Sequence, residues 1–154
     1  MPSGADPEQF ILDPAGKFLY VANENDSMVT IIDTAKRTAV GQVSVGTEPE
    51  GMAVSPDSKM LICTSETTSM VHFIDPASRE VIDNLLVGSR PRFAEFKSDG
   101  SELWVTSEIG GSLAIIDPAT RIEHAEEFFA ATGAILRHGG AQAYSSAGSD
   151  HVQM

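Results

Sequence analysis

The chain has a single cysteine, few positive charges (10 against 22 carboxylates) and one tryptophan in 154 residues. Each scarcity closes off a class of function. Cys63 alone can form no internal disulfide and cannot supply a Cys-x-x-Cys-His haem attachment. A formal net charge of −12 leaves no basic face to displace counterions, so neither nucleic acid nor an anionic membrane is an expected partner, and a cationic ligand or protein surface is. No apolar run approaches the ~18 residues of a membrane span, and no basic segment followed by an apolar stretch opens the chain, so no signal peptide is read there. Nucleophile elbows, phosphate loops and metal-ligand spacings are missing as well, since His124, His138 and His151 fit no metal motif.

What is present is a repeat. Residues 7–37, 49–79 and 91–121 superpose at a spacing of 42 without a gap. Pro7/Pro49/Pro91, Leu19/Leu61/Leu103, Glu24/Glu66/Glu108, Ile32/Ile74/Ile116, Asp33/Asp75/Asp117, Ala35/Ala77/Ala119 and Arg37/Arg79/Arg121 are identical in type. Within each copy a short alternating segment meets a turn cluster (13–17, 55–59, 98–101), then an apolar run and a polar loop. A third run follows (28–32, 70–74, 113–116) that is too uniformly apolar to have a wet face. After the Asp-x-Ala-x-Arg turn comes a weaker, more polar outer segment, which makes four strands per copy. A period just above 40 with four strands predicts a propeller blade.

The expected fold is therefore all-β: a β-propeller sector of three four-stranded antiparallel blades, with no long helix before residue 124. Residues 1–6 read as the end of a preceding blade, and 7–48, 49–90 and 91–129 as the three blades. Register is lost at Gly133, and residues 130–154 form an Ala/Gly/Ser-rich tail expected to be disordered or read in a non-native frame, not a fourth blade. Closed propellers use about four to eight blades, so three predict part of a larger propeller; the alternative is a short form that assembles from several chains.

Tyr20-Val21-Ala22-Asn23, followed by Val29-Thr30-Ile31-Ile32-Asp33, resembles the Tyr-Val-Thr-Asn (YVTN) repeat of bacterial and archaeal β-propellers, with Ala22 where that repeat has threonine. Longer strings narrow the likeness: Pro49-Glu50-Gly51-Met52, Ser65-Glu66-Thr67-Thr68, His72-Phe73-Ile74-Asp75, Arg90-Pro91-Arg92-Phe93 and Trp104-Val105-Thr106-Ser107-Glu108. These are similar to a periplasmic propeller associated with pyrroloquinoline quinone (PQQ)-dependent alcohol catabolism. The resemblance implies a periplasmic or secreted, non-catalytic accessory module whose protein partner is a quinoprotein dehydrogenase or a c-type cytochrome, and it implies no cofactor. Two other propeller functions stay open. One is a lactonase with a divalent cation such as calcium on Glu24, Glu66, Glu108 and Asn23, and the other is a haem-binding propeller.

Function in such folds sits on the face carrying the loops that enter the first strand and join the second to the third. Glu8, Glu50 and Arg92, one residue after each repeat proline, and Glu24, Glu66 and Glu108 should share that face with Arg90. A glutamate suits neither a tight turn nor a strand, so the recurring three are either held in ion pairs with Arg90 or Arg92 or form a carboxylate rim for a cation or basic partner. His72 reads as a satisfied core or inter-blade histidine, Cys63 as a small buried hydrophobe, and Trp104, which replaces Tyr20 and Ile62, as core.

Overall fold

The computed structural model describes residues 2–129 and 135–138. The first sheet contains β1 (Pro7–Leu12), β2 (Phe18–Asn23), β3 (Met28–Asp33) and β4 (Thr38–Ser44). The second contains β5 (Pro49–Val54), β6 (Leu61–Ser65), β7 (Met70–Asp75) and β8 (Glu80–Leu86). The third contains β9 (Pro91–Phe96), β10 (Leu103–Ser107), β11 (Ser112–Asp117) and β12 (Ile122–Phe129). Each is an antiparallel meander in chain order, and no helix occurs among the described residues.

Turn chemistry sets these strands. Asp13 accepts the Phe18 amide at 2.8 Å and Ser55 accepts that of Met60 at 2.9 Å, so each side chain closes the first hairpin of its blade. The third hairpin closes through the Asp-x-Ala-x-Arg segment, where the amides of Arg37, Arg79 and Arg121 donate to the carbonyls of Asp33, Asp75 and Asp117 at 2.7–2.8 Å. All three arginines are left-handed, with φ of 53°, 63° and 58°, a conformation that favours glycine. The side chain gives two of them a reason to be there. Arg79 donates to the Val40 carbonyl on β4, lying across Gly41, and Arg121 reaches Asp83 on β8 at 3.5 Å. Each ties its blade to the outer strand of the one before.

Successive blades converge on their inner strands. β5 packs beside β1 and β9, whereas the outer strands β4 and β8 barely meet, which is the wedge geometry of a radial array. Because side chains alternate across a strand, the middle blade buries one residue set on each face. Met52, Leu61, Cys63 and Ile74 pack with Tyr20, Ala22, Val29, Ile31 and Val43 of the first blade. On the other face Ala53, Ile62, Val71 and Phe73 pack with Ala94, Phe96, Leu103, Val105, Ala114 and Ile116 of the third. Each fully buried Leu, Ile or Phe contributes about 1.5–3 kcal/mol, so these two interfaces supply most of the cohesion.

Three departures from the sequence reading stand out. The doubly buried third strand holds for β3 and β7, but β11 alternates between buried and half-buried residues because, among the described residues, only one of its faces meets a blade. Trp104 is not core: it is 43% exposed, its indole N–H donating to Glu102 at 2.8 Å. It occupies the same strand position as Ile62, on a face that no further blade covers among the described residues. Finally, Ile135–His138 forms a short β13 pairing antiparallel with β12, a fifth strand on the third sheet within the segment read as a tail, where a strand was not expected. Residues 130–134 and 139–154 of the proposed tail lie outside the described residues.

Candidate functional site

At the rim, one backbone bond recurs in every blade. The amides of Glu24, Glu66 and Glu108 donate to the carbonyls of Asp6, Glu48 and Arg90 at 2.8–2.9 Å, and these three partners are all left-handed, with φ of 57°, 57° and 61°. The link into each blade is thereby pinned to the turn between its second and third strands. Two link positions, 6/48/90 and 8/50/92, consequently lie beside the recurring glutamate. In the first two blades they are acids; in the third they are arginines.

That exchange decides the electrostatics. Glu66, only 8% exposed, accepts a hydrogen bond from Arg90 Nε on Oε2 at 2.6 Å and has Arg92 Nε at ion-pair distance from Oε1, 2.8 Å. Arg92 also holds Glu50 at 2.9 Å, and both guanidiniums reach Glu108 Oε2, at 3.4 Å from Arg90 and 3.3 Å from Arg92. Five of the seven residues singled out from sequence thus form one lattice of three carboxylates and two guanidiniums. A hydrogen bond to Glu66 and its charge hold Arg90 above the usual arginine range, and hydrogen bonds to Glu50 and Glu108 do the same for Arg92. Charge-assisted bonds with planar guanidinium geometry are the strong kind.

The remaining two, Glu8 and Glu24, sit apart from both arginines and beside Asp6. Oxygens of Asp6, Glu8 and Glu24 all lie within 4.8 Å of one another. Partial burial, followed by the hydrogen bond to Glu8 and the charges of Glu8, Asp6 and Glu48, raises the Glu24 carboxyl above its ordinary value. Sequence reading missed Asp6; the 42-residue register that relates it to Glu48 and Arg90 was the available signal. The four residues proposed as lactonase ligands do not gather. Glu66 and Glu108 are engaged by the arginines, and fully buried Asn23 spends its amide on the Val21 carbonyl and Thr30 Oγ1. Three carboxylates at Asp6, Glu8 and Glu24 could enter a calcium shell, which takes about six to eight oxygens, leaving half of it to other donors.

A second polar cluster lies inside the middle blade. Asn84 Oδ1 accepts from His72 Nδ1, so the network assigns Nε2 as the acceptor for the Gly46 amide at 3.0 Å and for Ser65 Oγ at 2.9 Å. Burial pushes the imidazole pKa down, which keeps this ring neutral and accepting. Ser65 is completely buried, so the trio clamps the link between the first and second blades instead of activating a nucleophile. Cys63 is also completely buried, and burial drives its thiol pKa far upward, which makes it inert.

Comparison with solved structures is consistent across distant proteins. The chain superposes on the hydrazine synthase of Kuenenia stuttgartiensis with a TM-score of 0.76 at 24% identity, over 78% of this chain and 35% of that one. It superposes on the WD40 repeats of RRP9 with a TM-score of 0.76 at 12% identity, over 83% and 40%. The fold is that of β-propeller blades. Against these propellers the chain spans about two fifths of the partner's length or less. In sequence, 34 residues are 59% identical to the uncharacterized protein y4eC of Sinorhizobium fredii, covering 22% of this chain and 11% of that protein. No protein-family model matches the chain.

Proposed function

We propose that this propeller chain is a non-catalytic interaction module whose loop rim docks a protein partner. The observation that carries this reading is the lattice around Glu66. Its guanidiniums are 40% exposed and Glu108 is 53% exposed, so a rigid, pre-paired set of donors and acceptors faces outward. Such preorganisation lowers the ordering cost of docking. Asp6, Glu8 and Glu24 on the rim of the first blade and the net charge of −12 favour a partner with a cationic contact surface.

The finer assignment rests on the resemblance carried by the strings from Pro49 to Met52 and from Arg90 to Phe93. By that likeness the module is periplasmic, belongs to the YVTN-type propellers and serves PQQ-dependent alcohol oxidation beside a quinoprotein dehydrogenase or a c-type cytochrome. Binding of purified quinoprotein dehydrogenase and c-type cytochrome to the immobilised chain tests it. One of them should bind at low salt, bind more weakly as ionic strength rises, and lose affinity with Glu108→Lys. If neither binds, the PQQ assignment fails; if one binds equally well to Glu108→Lys, the rim is not the docking surface.

A further inference from the structure

Between the rims of the middle and third blades lies an open pocket of about 300 Å³, at the low end of the range of about 300–1,000 Å³ that ligand sites occupy. Three kinds of surface meet in it. Ile109, on the turn between β10 and β11, is 69% exposed and forms an apolar wall. Thr67 and Ser89 bring hydroxyls, Glu48 and Glu66 bring carboxylates, and Arg90 brings a guanidinium.

These charges are not equivalent. Arg90 is already committed, its Nε bonded to Glu66 at 2.6 Å and its Nη1 lying 3.4 Å from Glu108, so Arg90 and Glu66 form a fixed wall in which their charges cancel. Glu48 stands one repeat before Arg90, in the same left-handed link position, yet it meets different company. Its Oε2 accepts the Thr67 hydroxyl, and its charge helps to raise the Glu24 carboxyl. Among the described residues no Lys, Arg or His pairs with it. With the neighbouring lattice included, four carboxylates (Glu48, Glu50, Glu66 and Glu108) face two guanidiniums, so the potential in the pocket is negative although an arginine lines it. An apolar wall beside an unneutralised carboxylate and free hydroxyl lone pairs suits a long basic side chain, whose alkyl stem covers apolar surface while its charged head donates to the acceptors.

We propose that this pocket receives a protruding basic side chain of the docked protein partner, its stem along Ile109 and its charge against Glu48, with Thr67 and Ser89 as further acceptors. This rests on the reading of the rim as a docking surface and assigns one contact within it.

A blocked tetralysine peptide tests the pocket without any natural partner. Titrated into the chain labelled at its isoleucine methyl groups, it should shift the Ile109 signal to a plateau. The same peptide with every lysine acetylated, which keeps the stem and removes the charge, should not. Glu48→Gln still offers Thr67 an acceptor and should weaken the peptide about two- to fivefold at low salt, the range of an exposed ion pair. Glu80→Gln removes an equal charge from an exposed position beside Asp75, at the end of β7 away from the rim, and should leave the peptide's affinity unchanged. Equal losses in the two variants would mean that the net charge of −12 attracts the peptide without a pocket. An Ile109 signal that ignores tetralysine, or answers the acetylated peptide equally, also overturns the proposal. Should Glu48→Gln unfold the chain, the methyl titrations on the unaltered protein decide. The docking reading fails on different results. A dehydrogenase or cytochrome that loses affinity with Glu108→Lys but not with Glu48→Gln overturns the pocket and leaves rim docking standing, whereas tetralysine held through Glu48 while neither protein binds supports the pocket and removes those partners.

Discussion

The rim of the first blade and the rim shared by the second and third have the same backbone and opposite electrostatics. In both, a glutamate amide is bonded to a left-handed link residue at 2.8–2.9 Å. Around Glu24 the two link positions are Asp6 and Glu8, and carboxylates crowd one another. The link of the following blade brings Glu48 toward Glu24 but Arg90 and Arg92 onto Glu66, and there the crowding becomes an ion-pair lattice. A repeat therefore fixes where side chains stand without fixing what they do there, and two substitutions convert a repulsive site into a clamp.

The most direct way to break the contrast is to give the third blade the acid that its two predecessors carry. Arg92→Glu removes contacts to Glu50, Glu66 and Glu108 and puts a like charge beside a glutamate that is 8% exposed. Urea unfolding should show the largest loss in this series. It should stay below the ~3–5 kcal/mol of a fully buried pair losing one partner, because the arginine side chain is 40% exposed and water screens it. A stability change within error would mean that the lattice is a surface ornament.

Glu66→Ala should cost about 1–3 kcal/mol, the range for losing charge-assisted hydrogen bonds at a buried carboxylate, while Glu24→Ala should not destabilise. Equal losses at the two sites in parallel thermal melts would erase the distinction between the rims.

The His72 clamp adds a pH dependence to the middle blade that the first blade lacks, since Thr30 stands at the matching position. Burial lowers the imidazole pKa below 6.5, so the unfolded chain takes up a proton first. Stability is complete above 6.5 and declines as pH falls through the folded-state value. Replacing His72 with Gln should flatten the stability profile below 6.5; an unchanged slope would assign that dependence to other groups.

The smallest effect belongs to Glu24→Gln. With its carboxyl raised above 4.5 by partial burial and by Glu8, Glu24 contributes stability below 4.5 that is lost as pH rises through the folded-state value. The amide should then leave the neutral-pH melting temperature unchanged or slightly higher, and remove this increment in acid. A lower melting temperature at pH 7 would show that the ionised Glu24 is held by a favourable partner.

The sequence by itself determined the strands, their antiparallel order and the turns between them, because 42-residue register, side-chain alternation and turn residues such as Asp13 and Ser55 are local properties of the chain. It also placed Glu50, Glu66, Arg90, Arg92 and Glu108 on one rim, since equal spacing in a repeat means equal height on a blade. Tertiary structure decided which charges meet. Arg92 bridges Glu50 and Glu66 only because the third blade stacks against the second, while Glu24 is left with Glu8 and Asp6. It also decided the fate of Trp104, placed by pattern in the core and found exposed, because burial depends on a neighbouring sheet and periodicity records only the face that would receive one. The β12–β13 pairing likewise came from an available sheet edge, whose free backbone donors and acceptors take a partner strand whatever register the repeat prescribes.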